Sequence, residues 1–126
     1  VRLARSLSAD PRMAELLRPI AEEWKTSEAP AVRARGLLFL AALDPQNTAS
    51  LWQAAVDGER DERVRTALLE GAPLAGNAAA DAPVVDALLG AAARDGSEMV
   101  RAAAVRGLPA GLGAEPTRQL AAAFGL

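Results

Sequence analysis

The chain has 126 residues and a formal net charge of −2, so it lacks the basic excess that neutralises phosphates, and we expect no nucleic-acid partner. It contains no cysteine and no histidine, which excludes disulfides and thiolate metal sites and removes the commonest metal ligand and general base. No apolar run approaches the roughly 20 residues that span a bilayer, so we expect no membrane partner.

The composition indicates helices rather than strands. Apolar residues make up 51% of the chain and aromatic residues only 3%. Most apolar positions are alanine or leucine, which favour helices, and β-branched residues are few. Side chains this small suit helices that approach one another closely. We therefore predict an all-α fold.

A Val-Arg pair recurs along the chain. Four copies follow one another at spacings of 31, 32 and 36 residues: Val1-Arg2, Val32-Arg33, Val64-Arg65 and Val100-Arg101. A fifth copy, Val105-Arg106, falls outside this spacing. Periods of this length are typical of stacked helical repeats. The pair alone could arise by chance, so the surrounding sequence must repeat as well.

Apolar stripes at helical spacing flank each internal pair. The stripes before the pairs are Met13, Leu16, Leu17, Ile20 and Trp24; Leu51, Trp52, Ala55 and Val56; and Val84, Val85, Leu88, Leu89 and Ala92. The stripes after them are Val32, Gly36, Phe39, Leu40 and Leu43; Val64, Leu68 and Ala72; and Val100, Ala104 and Leu108. Each unit is therefore predicted to be two amphipathic helices, A and B, with its valine at the buried start of helix B.

Prolines mark the expected helix ends. Asp10-Pro11 and Asp44-Pro45 fit an N-cap followed by proline at the first helical position, and Pro83 and Pro116 can open later A helices. Pro30 precedes the first complete B helix, and Pro73 and Pro109 should end B helices. The predicted helices are B0 (about 1–8), A1 (11–26), B1 (31–43), A2 (47–57), B2 (61–72), A3 (83–94), B3 (98–108) and A4 (116–124).

The pattern of turn and arginine resembles that of HEAT repeats, especially the short bacterial kind. In that family an acidic residue of the A–B turn lies six residues before a helix-B arginine, as Asp95 does before Arg101 and Glu59 before Arg65. Ser27 takes the acidic position before Arg33. The resemblance implies a right-handed α-solenoid with B helices on its concave face, and a structural ladder formed by Asp95, Arg101, Glu59 and Arg65.

The predicted repeats form one domain over residues 1–126. The repeats lie at about 10–43, 44–76 and 81–112, with half-repeats at 1–9 and 114–126. Repeats of this kind must stack to bury their apolar faces. We therefore expect either that the half-repeats act as caps or that the chain is a piece of a longer array.

The search for chemistry favours a protein that is not an enzyme. No nucleophile–base pair with histidine or cysteine can be built, and the glycine-rich stretches lack a Walker lysine. The acidic cluster Asp57, Glu59, Asp61 and Glu62 lacks the spacing of an EF-hand and is interpreted as the cap of helix B2. We expect no cofactor and no metal, and we assign both tryptophans to the core.

The favoured function is a non-catalytic scaffold that binds a protein or peptide on its concave surface. Polar positions on B helices are the candidate contacts: Arg35, Glu62, Thr66, Glu98 and Arg106. The alternative is a repeat domain of a larger enzyme that docks on its own catalytic region. Further repeats or domains of the same longer chain are also candidate partners. A HEAT-like enzyme such as a lyase or DNA glycosylase is less favoured. For the location, the cytoplasm is favoured.

Overall fold

A computed structural model describes residues 11–109 together with residue 118. The described residues form six α-helices and no strand, which confirms the all-α class. In chain order the helices are α1 (Pro11–Trp24), α2 (Pro30–Ala42), α3 (Thr48–Gly58), α4 (Glu62–Glu70), α5 (Ala78–Arg94) and α6 (Glu98–Gly107). The predicted count of eight does not match these six. Helix B0 lies outside the described residues, and so does A4 apart from residue 118.

One predicted helix start and one predicted cap are wrong. Helix α3 begins at Thr48, one residue after the predicted start, but its N-cap is Asn47 and not Asp44. The Thr48 hydroxyl donates to the carbonyl oxygens of Ala41 and Asp44 at 2.8 and 2.9 Å. These bonds hold the intervening residues in a turn. Helix α5 begins at Ala78, five residues before the predicted start, and contains Pro83.

The early start of α5 is explained by its capping side chains. Asn77 Oδ1 accepts a hydrogen bond from the Ala79 amide at 3.0 Å. The Asp81 carboxylate reaches back to the amides of Ala75 and Gly76, at 2.6 and 2.9 Å. Side-chain acceptors of this kind satisfy amides that lack a partner at a helix start. Proline near the beginning of a helix is tolerated better than in its middle, so Pro83 does not prevent the earlier start.

The helices that correspond to B1, B2 and B3 lie next to one another. Helix α2 contacts α4, and α4 contacts α6, while α1, α3 and α5 each contact the helix that follows them in the chain. We call α2, α4 and α6 the B row, and α1, α3 and α5 the A row. Helices α3 and α5 of the A row contact each other only sparsely. Among the described residues, no helix is long and apolar enough to cross a membrane.

The core lies between the two rows. Val64 and Val100 are fully buried, which confirms the predicted role of these valines, while Val32 is half-buried. Trp52 is also buried, as predicted, and its indole N–H donates to the carbonyl oxygen of Leu68 at 2.8 Å. Trp24 is half-buried and packs edge-to-face on Phe39, with ring centroids 6.0 Å apart.

Parts of the predicted A-helix stripes are not buried. Leu16 is 64% exposed and Ile20 is 44% exposed, and Leu51 on α3 is exposed as well. Within the described part of the chain, α1 packs chiefly on α2, so only one side of α1 is covered. Helical periodicity identified the apolar face of α1. It did not show how much of that face a neighbouring helix would bury.

Two glycines allow helices to come together without side chains between them. A Cβ on Gly36 would lie 2.5 Å from the backbone nitrogen of Lys25, where α1 has just ended against α2. A Cβ on Gly107 would lie 2.6 Å from the carbonyl oxygen of Leu69, where α6 meets α4. Both distances are shorter than any normal carbon contact, so only glycine fits these two crossings.

Candidate functional site

Each turn between an A and a B helix is closed by one side chain. The three closing residues are Ser27, Glu59 and Asp95. In every case a side-chain oxygen accepts a hydrogen bond from the backbone N–H two residues later, at 3.1, 3.1 and 3.0 Å in that order. Ser27 therefore performs locally what the two acidic residues perform, although it carries no charge.

The arginine of each Val-Arg pair reaches back to the turn that precedes its helix. The Nη1 atoms of Arg33, Arg65 and Arg101 donate to the carbonyl oxygens six residues earlier, at 3.5, 3.3 and 3.0 Å. Arginine suits this position because its guanidinium presents several N–H donors in a fixed plane. One nitrogen can bind the carbonyl while the others remain for a carboxylate.

The carboxylates bound by Arg33 and Arg65 belong to the turn of the following unit and not to the turn before their own helix. Arg33 Nε and Nη2 donate to both carboxylate oxygens of Glu59, at 3.1 and 2.7 Å. Arg65 donates in the same way to Asp95, with both distances 3.2 Å. The spacing of six residues in the sequence therefore corresponds to the hydrogen bond from each arginine to a backbone carbonyl oxygen. The salt bridge links residues 26 and 30 positions apart.

These inter-unit bridges lie at the edge of the core. The exposed fractions of the side chains are 26% and 12% for Arg33 and Glu59, and 20% and 16% for Arg65 and Asp95. A carboxylate so little exposed loses much of its hydration, and the two-pronged guanidinium contact replaces it. The bridges therefore fix how one helix pair sits on the next.

Comparisons of the chain with protein-family models, with curated proteins and with solved structures found no match. No family membership follows from them. The resemblance to HEAT repeats rests on the turn residues and arginines described above.

The candidate partner residues lie on the three helices of the B row. Arg35, Glu62, Glu98 and Arg106 are exposed, and Thr66 is half-buried with its hydroxyl donating to the Glu62 carbonyl oxygen at 2.7 Å. Arg106 also bridges to Glu70 of α4 at 2.5 Å, with both side chains largely exposed. The sequence did not indicate this contact, since it spans 36 positions.

Two exposed apolar side chains on α6 were also missed. Met99 is 41% exposed and Val105 is 37% exposed. They lie on the same helix as Glu98 and Arg106. We call these residues of the B row, which are exposed except for the half-buried Thr66, the B surface: Arg35, Glu62, Thr66, Glu98, Met99, Val105 and Arg106. It combines both signs of charge with apolar area, which is a composition suited to protein contacts.

Two members of the acidic cluster, Glu59 and Asp61, are engaged in capping and pairing. Asp61 caps α4 by accepting the Arg63 amide at 2.9 Å, which confirms the predicted cap. The Arg63 side chain also donates to this carboxylate through Nε and Nη2. These side-chain bonds, followed by the bond from the Arg63 amide, lower the pKa of Asp61. The same contact raises the pKa of Arg63. Among the described residues, no group of three or more acidic side chains is arranged to hold a metal ion.

A groove separates α3 from α5 on the A row. Its volume is about 660 Å³, and its lining includes the small or apolar residues Val56, Ala87, Gly90 and Ala91. A second depression of about 360 Å³ shares Gln53 and Asp57 with it and continues the groove toward Pro83. The sequence offered no direct signal for this groove, because it depends on the separation between two helices that are not consecutive.

Proposed function

We propose that this chain is part of a HEAT-like α-solenoid that acts as a non-catalytic scaffold and binds a protein or peptide partner on the B surface. The observation that carries the proposal is the repeated joint between helix pairs. Three turns share one hydrogen-bond pattern, and two of the joints share one bridge from an arginine to the acidic residue of the following turn.

A repeated joint supports a scaffold because it can be extended. Units that contact only their neighbours stack into a continuous surface whose area grows with the number of units. The B row provides the exposed helix faces of such a surface. A partner could therefore be held across several helices, with contacts of both charges at Arg35, Glu62 and Arg106.

The apolar part of the B surface supports a protein partner. Met99 is a flexible side chain that adapts to different contacts, and methionine is common at binding surfaces. The charged residues around it would steer association and make it sensitive to salt. We expect moderate affinity, since the exposed apolar area is small.

The test compares matched charge reversals on the two rows. Arg35→Glu changes the B surface, and Arg18→Glu makes the same change at an exposed position of α1. Proteins captured from a lysate of the source organism are identified by mass spectrometry, and the affinity of the purified partner is then measured. We expect Arg35→Glu to weaken binding roughly tenfold, a change of about 1.4 kcal/mol, and Arg18→Glu to leave it unchanged.

Circular dichroism provides the control for folding, because neither arginine is buried. Equal affinities for both variants would reject the B surface as the binding site. Loss of binding together with loss of helicity would instead assign Arg35 to the fold.

A further inference from the structure

The α3–α5 groove is lined by stripes of residues at helical spacing on both walls. On α5 the lining positions are Asp86, Ala87, Gly90, Ala91 and Arg94, and on α3 they include Gln53, Val56 and Asp57. Its volume of about 660 Å³ falls within the range of about 300–1,000 Å³ typical of ligand pockets. The groove is therefore large enough for side chains from another molecule.

Gly90 contributes space to the groove that the fold itself does not require. It lies within α5, where glycine is less favourable than alanine. A Cβ added to it would meet no atom of the described residues within 4 Å, and its backbone conformation suits any residue. This contrasts with Gly107, where packing leaves no room for a Cβ. The open space at Gly90 allows close approach of an external chain.

The groove carries a small excess of negative charge. Glu59 and Asp95 line it but are paired with Arg33 and Arg65, and the exposed Arg94 offsets one of the two carboxylates that remain. Asp57 on α3 and Asp86 on α5 are exposed, and their carboxylates have no hydrogen-bond or ion-pair partner among the described residues.

Helix ends add to this negative charge. Asp57 lies in the last turn of α3, which contains no basic residue, so its charge adds to the negative end of the helix dipole. Arg94 lies in the last turn of α5, where its charge opposes the helix dipole, and it also lines the groove as a cation. Among the described residues, Asp57 and Asp86 are the acceptors without a partner on opposite walls.

We propose that the α3–α5 groove binds a basic peptide segment of a partner protein, with an arginine or lysine held between Asp57 and Asp86 and its aliphatic stem on Gly90, Ala87 and Ala91. The apolar stem of a long basic side chain packs well on small residues while its charged end reaches a carboxylate. The smaller depression beside Pro83 would take an adjacent small residue of the same segment. This surface lies on the A row and does not depend on the B surface.

The test uses a defined probe, the tripeptide acetyl-Ala-Arg-Ala-amide, titrated into the full chain labelled with ¹⁵N. We expect saturable shifts of the amide signals of Val56, Ala87, Gly90 and Ala91, with an affinity on the order of 1 mM because a tripeptide covers little surface. The matched peptides with glutamate or citrulline in place of arginine should cause no such shifts.

Two sets of variants test the site. Gly90→Leu should fill the groove and abolish the shifts, whereas Ala93→Leu, an exposed position of the same helix outside the lining, should retain them. Replacing both Asp57 and Asp86 with asparagine should lower the affinity roughly tenfold. The matched double variant Glu62→Gln and Glu98→Gln removes the same charge from the B surface and should leave the titration unchanged.

Each outcome decides the proposal. Absence of shifts with the arginine peptide, equal shifts with the glutamate peptide, or shifts that persist in Gly90→Leu would overturn it. If Gly90→Leu lost helicity, the affinity of the double aspartate variant for the arginine peptide would decide instead, and an unchanged affinity would overturn the proposal. Because the B surface is probed by other residues, failure of the groove would leave the scaffold proposal intact, and failure of the scaffold proposal would leave the groove intact.

Discussion

Neighbouring helices pack more closely in the B row than in the A row. In the B row α6 approaches α4 so closely that Gly107 has no room for a Cβ beside the Leu69 carbonyl oxygen. In the A row α3 and α5 stand apart, and Gly90 faces open space. The described helices are therefore in close contact where α4 meets α6, whereas a groove separates α3 from α5.

The largest effect is expected from filling the close contact of the B row. Gly107→Ala would place a Cβ 2.6 Å from a backbone oxygen that cannot rotate away. Overpacking of this kind costs about 1–3 kcal/mol. Denaturant unfolding should show a lower midpoint. A midpoint equal to that of the parent chain would mean that α4 and α6 can separate without cost.

The joint between units should show a smaller coupling. A double-mutant cycle with Arg65→Met and Asp95→Ala should give a coupling free energy of about 1 kcal/mol, since both side chains are mostly shielded from water. The same cycle on Arg106 and Glu70, which are largely exposed, should give no more than about 0.5 kcal/mol. Equal couplings would contradict a special role for the shielded bridge.

The A row should accept a Cβ where the B row does not. Gly90→Ala removes a glycine from a helix and meets no neighbour within 4 Å, so we expect stability to rise by about 0.5–1 kcal/mol. The free energies of unfolding of Gly90→Ala and Gly107→Ala, measured side by side, compare how much space each row leaves for a Cβ. Destabilisation by Gly90→Ala would show that the groove is narrower than described.

The smallest effect concerns the turn that connects the rows at α4. Because the pKa of Asp61 is lowered by its hydrogen bonds with Arg63, its contribution is complete above the usual aspartate pKa of about 3.9 and is lost as pH falls through the lowered value. Asp61→Asn should therefore be less stable than the parent chain near neutral pH and equal to it in strong acid. Unfolding midpoints measured from pH 2 to 7 provide the check, and a constant difference across that range would rule out the charge as the cause.

Local patterns predicted much of the helical structure. Alanine and leucine at helical spacing indicated all six described helices, and prolines and caps located several of their ends. The proline pattern gave a wrong start for α5. Pro83 suggested that the helix begins there, but hydrogen bonds to the side chains of Asn77 and Asp81 stabilise an earlier start. The site was predicted less well, because Met99 and Val105 carry no sequence signal that separates exposed from buried apolar residues.

The sequence by itself determined the helical class and the approximate positions of the six described helices. These features depend on neighbours along the chain, so spacing reveals them. Only the tertiary structure decided that Arg33 and Arg65 bridge to the next unit, that Leu16 and Ile20 stay exposed, and that a groove opens at Gly90. Those features depend on how far apart non-consecutive helices pack, a distance set by the whole assembly of side chains between them.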